Sequence, residues 1–323
     1  MENLESQLQG AATVAIVGHV RPDGDCTGSC LAVWNYINAW HPDIQAKVYL
    51  EPIPNIFRFL KGADEIEGPK STDSPKDLCI VLDCGDEGRL GEGIHYFKTA
   101  KRTICVDHHI SNESFADENH IFPQVGSTSE LVFDLIGEEK LTKEIAECIY
   151  VGIVHDTGLF QFDSTTAKTM NIAGKLMEAG INFTKIVDET FFTKTYGQNR
   201  IMGKVLMDSR LYLGGKLIVG MATQKDMEQF GVQPKHLDGI VNQLRVTKGV
   251  EAALFLYENE RGGYKASLRS NGKINVAELA MKFGGGGHVM AAGADLKGTA
   301  EEIIEKICME TERQLVQENL HKK

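Results

Sequence analysis

Proline is scarce in this chain, at 8 of 323 residues, and no apolar run is long enough to cross a bilayer. The first ten residues, MENLESQLQG, lack the basic and then apolar stretch of a secretory signal. These absences argue against a membrane protein and predict a cytoplasmic one. Because 42% of the residues are hydrophobic, the chain has enough apolar material for one large domain or two of ordinary size.

The sequence also lacks the cysteine pattern of a disulfide framework. Its seven cysteines are an odd number, and most lie inside apolar runs or beside acidic residues, which is typical of reduced thiols. Cys26 and Cys30 share one face of a predicted helix, but no second cysteine pair accompanies them. This spacing argues against a zinc or iron–sulfur site.

The chain also has fewer basic than acidic residues. The formal net charge is -11, with 34 lysines and arginines against 45 aspartates and glutamates. Binding to a long nucleic-acid backbone depends on many Lys and Arg contacts, which argues against duplex DNA as a partner. A small anionic ligand remains compatible with this charge, because metal ions and one or two arginines in a pocket act at close range.

Between residues 11 and 160, short apolar runs alternate with helical periodicity. This pattern predicts an α/β domain with a doubly wound, mostly parallel sheet. The predicted strands are Thr13–Gly18, Ala46–Leu50, Leu78–Leu82 and Arg102–Val106. The predicted helices are Cys26–Trp40 and three more near 127–137, 142–154 and 165–179. In such sheets, ligands bind at the carboxyl ends of the strands.

The pattern changes after this region, which predicts a second domain. We expect a catalytic domain at 1–192, a helical connector at 193–210 and a smaller α+β domain at 211–323. The smaller domain is predicted to begin with the hairpin LYLGGKLIVGM and two strands, Ala252–Tyr257 and Tyr264–Arg269, on either side of the turn ENERGG. A helix at Val276–Lys282, the glycine-rich loop FGGGGH, a short strand and a C-terminal helix near 299–317 are predicted to follow.

Polar clusters lie at the ends of three predicted strands. HVRPDGD follows the first strand, LDCGD ends the third and VDHH ends the fourth, while HDTG follows the apolar helical run IYVGIV. Each cluster alone has a plain structural interpretation, such as an aspartate that caps a helix or a turn, or histidines in a surface turn. Ionised groups rarely end buried strands without a partner or a metal, so the clusters together predict one shared site.

Six of these side chains form a candidate ligand set for two metal ions: His19, Asp23, Asp25, Asp83, His108 and Asp156. The four carboxylates balance two divalent cations. The mixed oxygen and nitrogen donors suit Mn²⁺ best, with Mg²⁺ or Co²⁺ as weaker alternatives, and the absence of a thiolate argues against structural zinc. Two such ions activate water and stabilise phosphoryl charge, which predicts phosphoester hydrolysis. Asp107 and His109 flank His108 and offer an orienting carboxylate and a proton donor.

The ordered set HVRPDGDC, LDCGD, VDHH and GIVHDTG resembles the four motifs of the DHH phosphoesterase superfamily. The segments SLRS and FGGGGHVMAAGA resemble its DHH-associated nucleotide-binding domain. The match spans about residues 11–295, and motif order and spacing both agree. Within the superfamily the chain is most similar to the short stand-alone bacterial nanoRNase/pAp phosphatases. These are described as degrading oligoribonucleotides of a few nucleotides and removing the 3'-phosphate of adenosine 3',5'-bisphosphate (pAp).

The resemblance divides the six candidate ligands between two metal ions. One ion takes His19, Asp23 and Asp83, and the other takes Asp25, His108 and Asp156, with Asp83 bridging both. The resemblance further implies that His109 lies against the substrate phosphate. It also implies an active site in the cleft between the two domains.

Three features of the second domain predict a phosphate-binding surface. His288 and Arg269 offer donors, and Ser267 lies on the same strand face as Arg269. Four successive glycines lack Cβ atoms and can turn their amides toward an anion. These are Gly284, Gly285, Gly286 and Gly287. A glycine-rich loop on its own is equally well explained as a flexible turn.

The leading hypothesis is therefore hydrolysis of short oligoribonucleotides, or of pAp, to mononucleotides. A cyclic di-AMP or pApA phosphodiesterase would use the same core, and the sequence does not separate the two. An inorganic pyrophosphatase is disfavoured because its C-terminal domain is expected to be rich in Lys and Arg. A non-enzymatic nucleotide sensor is disfavoured because every ligand is present. Val289-Met290, where relatives often carry a polar residue, leaves the base or sugar preference open, and a homodimer is also left open.

Overall fold

The computed structural model describes residues 3–259 and 262–321, and it describes no side chain beyond residue 317. Glu260 and Arg261, in the predicted ENERGG turn, lie outside the described residues. The chain divides into two compact units, Met1–Thr193 and Lys194–Lys323. Within the described part of the chain, every helix is too short or too polar to span a membrane.

The first unit is built on a five-stranded sheet in which all neighbouring strands are parallel. Its strands are β1 (Thr13–Val17), β2 (Gln45–Tyr49), β3 (Leu78–Leu82), β4 (Arg102–Asp107) and β5 (Glu118–Ile121). Their order across the sheet is β2-β1-β3-β4-β5. The predicted parallel sheet is confirmed. The sequence did not indicate β5, because its residues, ENHI, are mostly polar and only half-buried.

Seven α-helices accompany this sheet within the described residues of the first unit. They are α1 (Leu4–Gln7), α2 (Gly24–Trp40), α3 (Ile94–Thr99), α4 (Thr128–Ile136), α5 (Lys143–Asp156), α6 (Ala167–Glu178) and α7 (Phe183–Val187). Short 3-10 turns lie at Asn55–Phe57, Ala63–Glu65, Glu87–Gly93 and Glu138–Lys140, and a π-helical turn lies at Asp188–Phe192.

Both faces of the first sheet are covered. Successive side chains of a strand point to opposite faces, so Val14 and Ile16 enter the core formed with α2, α4 and α5. Ala15 and Val17 enter a second core on the other face, which includes Tyr96 of α3. This arrangement confirms the predicted doubly wound α/β fold.

Two helix ends place acidic residues at the sheet edge. α2 begins two residues before the predicted start, because Asp23 caps it by accepting hydrogen bonds from the amides of Asp25 and Cys26, both at 3.1 Å. α5 runs two residues beyond the predicted end and closes at Asp156. Asp25 therefore lies in the first turn of one helix, and Asp156 is the last residue of another.

The second unit contains a six-stranded mixed sheet. Its strands are β6 (Arg210–Tyr212), β7 (Leu217–Ala222), β8 (Ala252–Glu258), β9 (Tyr264–Ser270), β10 (Gly286–His288) and β11 (Ala291–Leu296), ordered β10-β11-β9-β8-β7-β6. Its α-helices are α8 (Tyr196–Asp208), α9 (Gln224–Phe230), α10 (Ile240–Arg245), α11 (Val276–Met281) and α12 (Ala300–His321). The 3-10 turns are Leu213–Gly215 and Pro234–His236. Among the described strand pairs of this sheet, β7 and β8 are parallel and the other neighbours are antiparallel. The predicted α+β class of this unit is confirmed.

The segment 193–210, expected as a helical connector, contains α8, whose Ile201 and Val205 are fully buried in one apolar cluster with Ile218 and Leu244. One segment of the second unit differs from the expectation. The segment FGGGGH, expected as a loop, contains β10, which pairs with β11 in an antiparallel ladder. Apolar spacing explains the burial of α8, because Ile201 and Val205 lie four residues apart on one helix face.

Candidate metal centre

Acidic and imidazole side chains gather at the carboxyl edge of the first sheet. Asp83 follows β3 directly, Asp107 is the last residue of β4, and His19 lies two residues beyond β1. Since the strands are parallel and adjacent, their carboxyl ends share one edge. The order of the strands therefore places these side chains together.

Asp83 lies at the centre of the cluster. Its side chain is buried, with one oxygen 3.5 Å from Nε2 of His19 and the other 3.7 Å from Nε2 of His108 and 3.7 Å from Nδ1 of His109. The hydroxyl of Thr128 donates to the same carboxylate at 3.2 Å. Asp83 has a positive φ of 54°, a conformation that Asp tolerates better than most residues and that occurs at functional sites.

The rings of His19 and His108 are held by backbone carbonyl groups. Nδ1 of His19 lies 2.8 Å from the carbonyl oxygen of Val20, and Nδ1 of His108 lies 3.2 Å from that of Val125. When the ring is neutral, a proton on Nδ1 makes this hydrogen bond, so Nε2 is the nitrogen that would bind a metal ion. Each Nε2 faces carboxylates, and that of His108 lies 3.2 Å from Oδ2 of Asp156. Metal-binding histidines in proteins are commonly oriented in this way.

Asp25 is held by the start of α4. Its two carboxylate oxygens accept hydrogen bonds from the amides of Thr128 at 2.6 Å and Ser129 at 2.9 Å, the first two residues of that helix. Unpaired amides at a helix start favour a negative charge. One donor atom each of Asp25, His108 and Asp156 lie within 4.8 Å of one another, which brings together the second of the two expected ligand sets.

The first expected set is assembled less completely. Oδ2 of Asp23 lies 3.6 Å from Nε2 of His19, and the Asp23 side chain is 61% exposed. Cys26, rather than Asp23, lies with His19 and Asp83 in a group whose donor atoms are all within 4.8 Å of one another. A third such group joins Asp83, His108 and His109. The Cys26 thiol is not one of the six donors predicted from the sequence.

The electrostatics of this cluster suit divalent cations. Burial, with the neighbouring carboxylates of Asp83 and Asp156, raises the pKa of Asp25 well above its usual range. Burial raises the pKa of Asp156 to about 6, and although His108 opposes this shift, Asp83 adds to it. Burial alone would lower the pKa of His19, but its contacts with Asp23 and Asp83 raise it to about 11. Buried carboxylates that draw protons in this way are stabilised by positive charge, and two divalent ions would supply it.

His109 has a different environment from its neighbour. Its Nδ1 lies 2.7 Å from Oδ1 of Asp107, which is fully buried and accepts a hydrogen bond from Asn112 at 2.8 Å on its other oxygen. The hydrogen bond to Asp107 raises the pKa of His109, although burial opposes this. The bond fixes the ring and leaves Nε2 as its second donor. Asp107 therefore positions His109, whose side chain is 32% exposed.

In the second unit, the predicted residues Arg269, His288 and Ser267 lie on one face of the sheet. Arg269 pairs with Ala291, and Ala291 pairs with His288, so Arg269 and His288 share a face across β9, β11 and β10. Ser267 lies on the same face as Arg269, two residues earlier in β9. Nε of Arg269 donates to Oδ1 of Asn242 at 3.1 Å, which holds the guanidinium group near α10.

Two amides of the glycine-rich segment make backbone hydrogen bonds. The amides of Gly284 and Gly285 donate to the carbonyls of Met281 at 3.1 Å and Ala280 at 2.9 Å, so they close the end of α11. A Cβ at Gly285 would clash with the carbonyl oxygen of Gly293 on β11. The expectation that these two amides face an anion is therefore corrected, since both already have backbone acceptors. Gly286 and Gly287 lie in β10.

Two family models match the chain in sequence order. Residues 13–153 match the DHH family, N-terminal domain, and residues 214–316 match the DHHA1 domain. A relative from Thermus thermophilus, named bifunctional oligoribonuclease and PAP phosphatase NrnA, is 32% identical over 289 residues, which cover 88% of this chain and 84% of the relative. The chain belongs to the DHH family. It is accordingly an enzyme that hydrolyses phosphoester bonds, as the resemblance had implied.

Other relatives span similar lengths. The protein of the same name from Bacillus subtilis is 29% identical, with 93% of this chain and 96% of the relative covered. Among solved structures, an exopolyphosphatase-related protein from Bacteroides fragilis superposes with a TM-score of 0.87 at 29% identity, covering 96% of this chain and 94% of that one. That likeness supports the DHH fold over both units.

Close helix packing in this DHH chain predicts a sensitive position at Gly152 on α5. A Cβ there would clash with Oγ of Ser129 and would lie 2.6 Å from Oδ1 of Asp25. We expect Gly152→Ala to lower the free energy of unfolding by about 1–3 kcal/mol, as overpacking does. It should also weaken metal binding, because the methyl group displaces the Asp25 carboxylate. Chemical denaturation and metal titration measure the two effects.

Gly174 on α6 provides a matched control, since a Cβ there would meet nothing within 4 Å. Gly174→Ala should leave metal binding unchanged and stabilise the protein by up to about 1 kcal/mol, through the helix preference of alanine. Parental metal affinity in Gly152→Ala would show that Asp25 does not depend on this close approach.

Proposed function

We propose that this phosphoester hydrolase cleaves short oligoribonucleotides and removes the 3'-phosphate of pAp, releasing mononucleotides. The observation that carries this proposal is the meeting of carboxylates and imidazoles around Asp83, beside the His109–Asp107 pair. The names of the relatives from Thermus thermophilus and Bacillus subtilis support this choice of substrates. A cyclic di-AMP or pApA phosphodiesterase remains the alternative that the same site would serve.

Two divalent metal ions, with Mn²⁺ the best match, would be held by the predicted six ligands, which are His19, Asp23, Asp25, Asp83, His108 and Asp156. The mixture of imidazole and carboxylate donors supports this choice of metal. When bound, such ions supply an activated water and positive charge for the phosphoryl oxygens. The chain itself fixes the donors, through the carbonyls that orient the two histidines and the α4 amides that hold Asp25.

His109 would act on the substrate directly. With Nδ1 bonded to Asp107, its Nε2 can donate a hydrogen bond to a phosphoryl oxygen or a proton to the leaving oxygen. The bond from Asn112 to Asp107 keeps that carboxylate in place. The proton needed by the leaving group would thus come from a ring whose orientation is already set.

The second unit would hold a part of the substrate away from the scissile bond. Arg269 and His288 lie on one sheet face on either side of Ala291, and Ser267 lies on the same face two residues before Arg269 in β9, so the small side chain of Ala291 separates the two donors. A terminal phosphate or a nucleoside fits such a surface. The net charge of -11 gives a longer strand few basic contacts, which favours short substrates.

We also expect the enzyme to act in the cytoplasm. All seven cysteines are unpaired, and six of them are buried, which fits a reducing compartment. A homodimer stays a prediction.

Turnover with Mn²⁺ on a substrate panel tests the proposed function. The panel contains pAp, di- to pentaribonucleotides, cyclic di-AMP, pApA and pyrophosphate. We expect the highest kcat/KM on pAp or on the shortest ribonucleotides, and low turnover of pyrophosphate. A clear preference for cyclic di-AMP or pApA would favour the alternative activity, and no hydrolysis of any member would favour a nucleotide sensor.

Arg269→Ala should separate substrate binding from chemistry. We expect weaker binding of short ribonucleotides by roughly 1.5–3 kcal/mol, the value of a charge-assisted hydrogen bond. Hydrolysis of bis-p-nitrophenyl phosphate, which has no second nucleotide to bind, should change little. Comparing kcat/KM on both substrates measures the difference.

Arg313→Ala is the control for charge, because Arg313 is half-exposed on α12 and pairs with Glu310. It should behave as the parent on both substrates. Equal losses on the two substrates in Arg269→Ala would contradict the proposed role of the second unit.

A further inference from the structure

A buried thiol lies among the donors of the candidate metal centre. Cys26 is in the first turn of α2, and its Sγ forms a group with donor atoms of His19 and Asp83 in which all atoms are within 4.8 Å of one another. All three residues are buried. None of the roles proposed above uses this thiol.

The backbone fixes the thiol in this place. The amide of Cys26 donates to Oδ1 of Asp23 at 3.1 Å, so the residue is tied to the same turn as the acidic ligands. Its Sγ lies 4.0 Å from the carbonyl oxygen of His19. Gly18 leaves the space that the sulfur fills, since a Cβ at that position would clash with Sγ. The sulfur therefore has a defined position beside the first expected metal ion.

Sulfur and oxygen donors select different ions. Thiolate is a soft ligand that favours Zn²⁺ and Co²⁺, whereas Mn²⁺ favours carboxylate and imidazole. We propose that Cys26 sets the metal selectivity of the His19–Asp83 position by ligating thiophilic ions and leaving Mn²⁺ to the oxygen and nitrogen donors. When such an ion binds, the S–H proton passes to water as the sulfur–metal bond forms, and no atom is oxidised or reduced.

This inference rests on the proposed dimetal function and implies a preference for zinc at the His19–Asp83 position. A thiolate adds one negative donor to His19 and Asp83, and zinc prefers such a mixed set in tetrahedral geometry. Zn²⁺ generally binds nitrogen, oxygen and sulfur sites more tightly than Mn²⁺ does, and the thiolate should widen this difference at the His19–Asp83 position. Cys26 would then make the enzyme sensitive to zinc.

Cobalt absorption spectroscopy tests the ligand directly. Metal-free parent, Cys26→Ala and Cys30→Ala are titrated with Co²⁺, and two signals are followed: the visible d–d bands that report bound cobalt, and the near-ultraviolet sulfur-to-cobalt charge-transfer band. Cys30 is equally buried, one turn further along α2, and is in none of the donor groups found among the described residues. We expect the charge-transfer band in the parent and in Cys30→Ala and its absence in Cys26→Ala, with d–d bands in all three.

A charge-transfer band that persists in Cys26→Ala would overturn the inference. So would a parent that shows d–d bands and Mn²⁺-dependent hydrolysis but no charge-transfer band, and this result would leave the proposed function standing. A parent with neither cobalt binding nor Mn²⁺-dependent hydrolysis would overturn the dimetal function as well. Cys26→Ser, which nearly preserves the side-chain volume, serves if the alanine variant does not fold.

Metal affinities give a second measurement. The dissociation constants of Zn²⁺ and Mn²⁺ are compared for the parent and Cys26→Ser. Loss of a supporting contact at a metal site typically lowers metal affinity by roughly 10–100-fold. We expect Cys26→Ser to lower Zn²⁺ affinity by at least this factor and to leave Mn²⁺ affinity nearly unchanged. Equal changes for the two ions would show that the thiol affects structure and not selectivity.

Discussion

Asp83→Ala is expected to abolish phosphoester hydrolysis and to weaken metal binding at both positions. The carboxylate of Asp83 is the one that contacts His19 on one side and His108 on the other, at 3.5 and 3.7 Å. Two of the three donor groups found among the described residues contain it. If Asp83 bridges the two proposed ions, its removal would take a donor and a negative charge from both at once. Metal content by mass spectrometry, with kcat/KM on pAp and a trinucleotide, measures both effects.

The backbone at this position requires a matched second variant. Asp83 has a left-handed φ of 54°, which Asn tolerates well and Ala does not. Asp83→Asn thus keeps the backbone and the side-chain shape while it removes the charge, and it should lose both metal ions and activity without loss of fold. Two intact metal sites in the asparagine variant, or activity within about tenfold of the parent, would contradict the bridging role.

The sequence was sufficient to predict the sheet and the edge at which the chemistry lies. β1, β3 and β4 are apolar runs that end in polar clusters, and parallel strands bring such ends together. The edge strand β5 was missed because Glu118–Ile121 carries mostly polar side chains on a half-buried strand. Hydrophobic pattern identifies strands through burial, so it does not detect a strand that is little buried.

The contacts that hold the site could not be predicted from local sequence. Asp25 accepts hydrogen bonds from Thr128 and Ser129, which follow it by more than 100 residues in the chain. The segment GSTSE did carry a signal for a helix start, with Ser127 as its cap, but nothing local indicated which carboxylate that helix would meet. Pairings of this kind depend on how α2, α4 and α5 pack.

The glycine-rich segment shows that one sequence pattern can have more than one structural explanation. Four glycines beside a histidine were interpreted as an anion-binding loop, because glycine amides can approach a phosphate. In the structure, Gly285 lies so close to the carbonyl oxygen of Gly293 that a Cβ at this position would clash with it. The amide of Gly285 donates to the carbonyl of Ala280 and closes the end of α11. A composition that permits close approach does not reveal whether a ligand or another strand makes that approach.

His109→Ala should reduce hydrolysis while both metal ions stay bound. Nδ1 of His109 is bonded to Asp107, whereas the metal-facing rings of His19 and His108 are bonded to backbone carbonyls. This difference supports the proposal that His109 acts on the substrate. General acid catalysis contributes about 10²–10⁴-fold, so we expect kcat to fall by that factor. Turnover on pAp and metal titration, measured on the same preparation, separate the two effects.

His108→Ala is the matched comparison, because it removes the neighbouring ring, whose Nε2 lies 3.2 Å from Oδ2 of Asp156. That variant should lose metal affinity and activity together, and higher Mn²⁺ should restore part of its activity. Higher Mn²⁺ should restore nothing in His109→Ala, since its metal sites are already full. His109 also lies in one donor group with Asp83 and His108, so the opposite result has a clear meaning. If His109→Ala loses metal in step with activity and Mn²⁺ rescues it, His109 is a ligand and the division of roles between the two histidines fails.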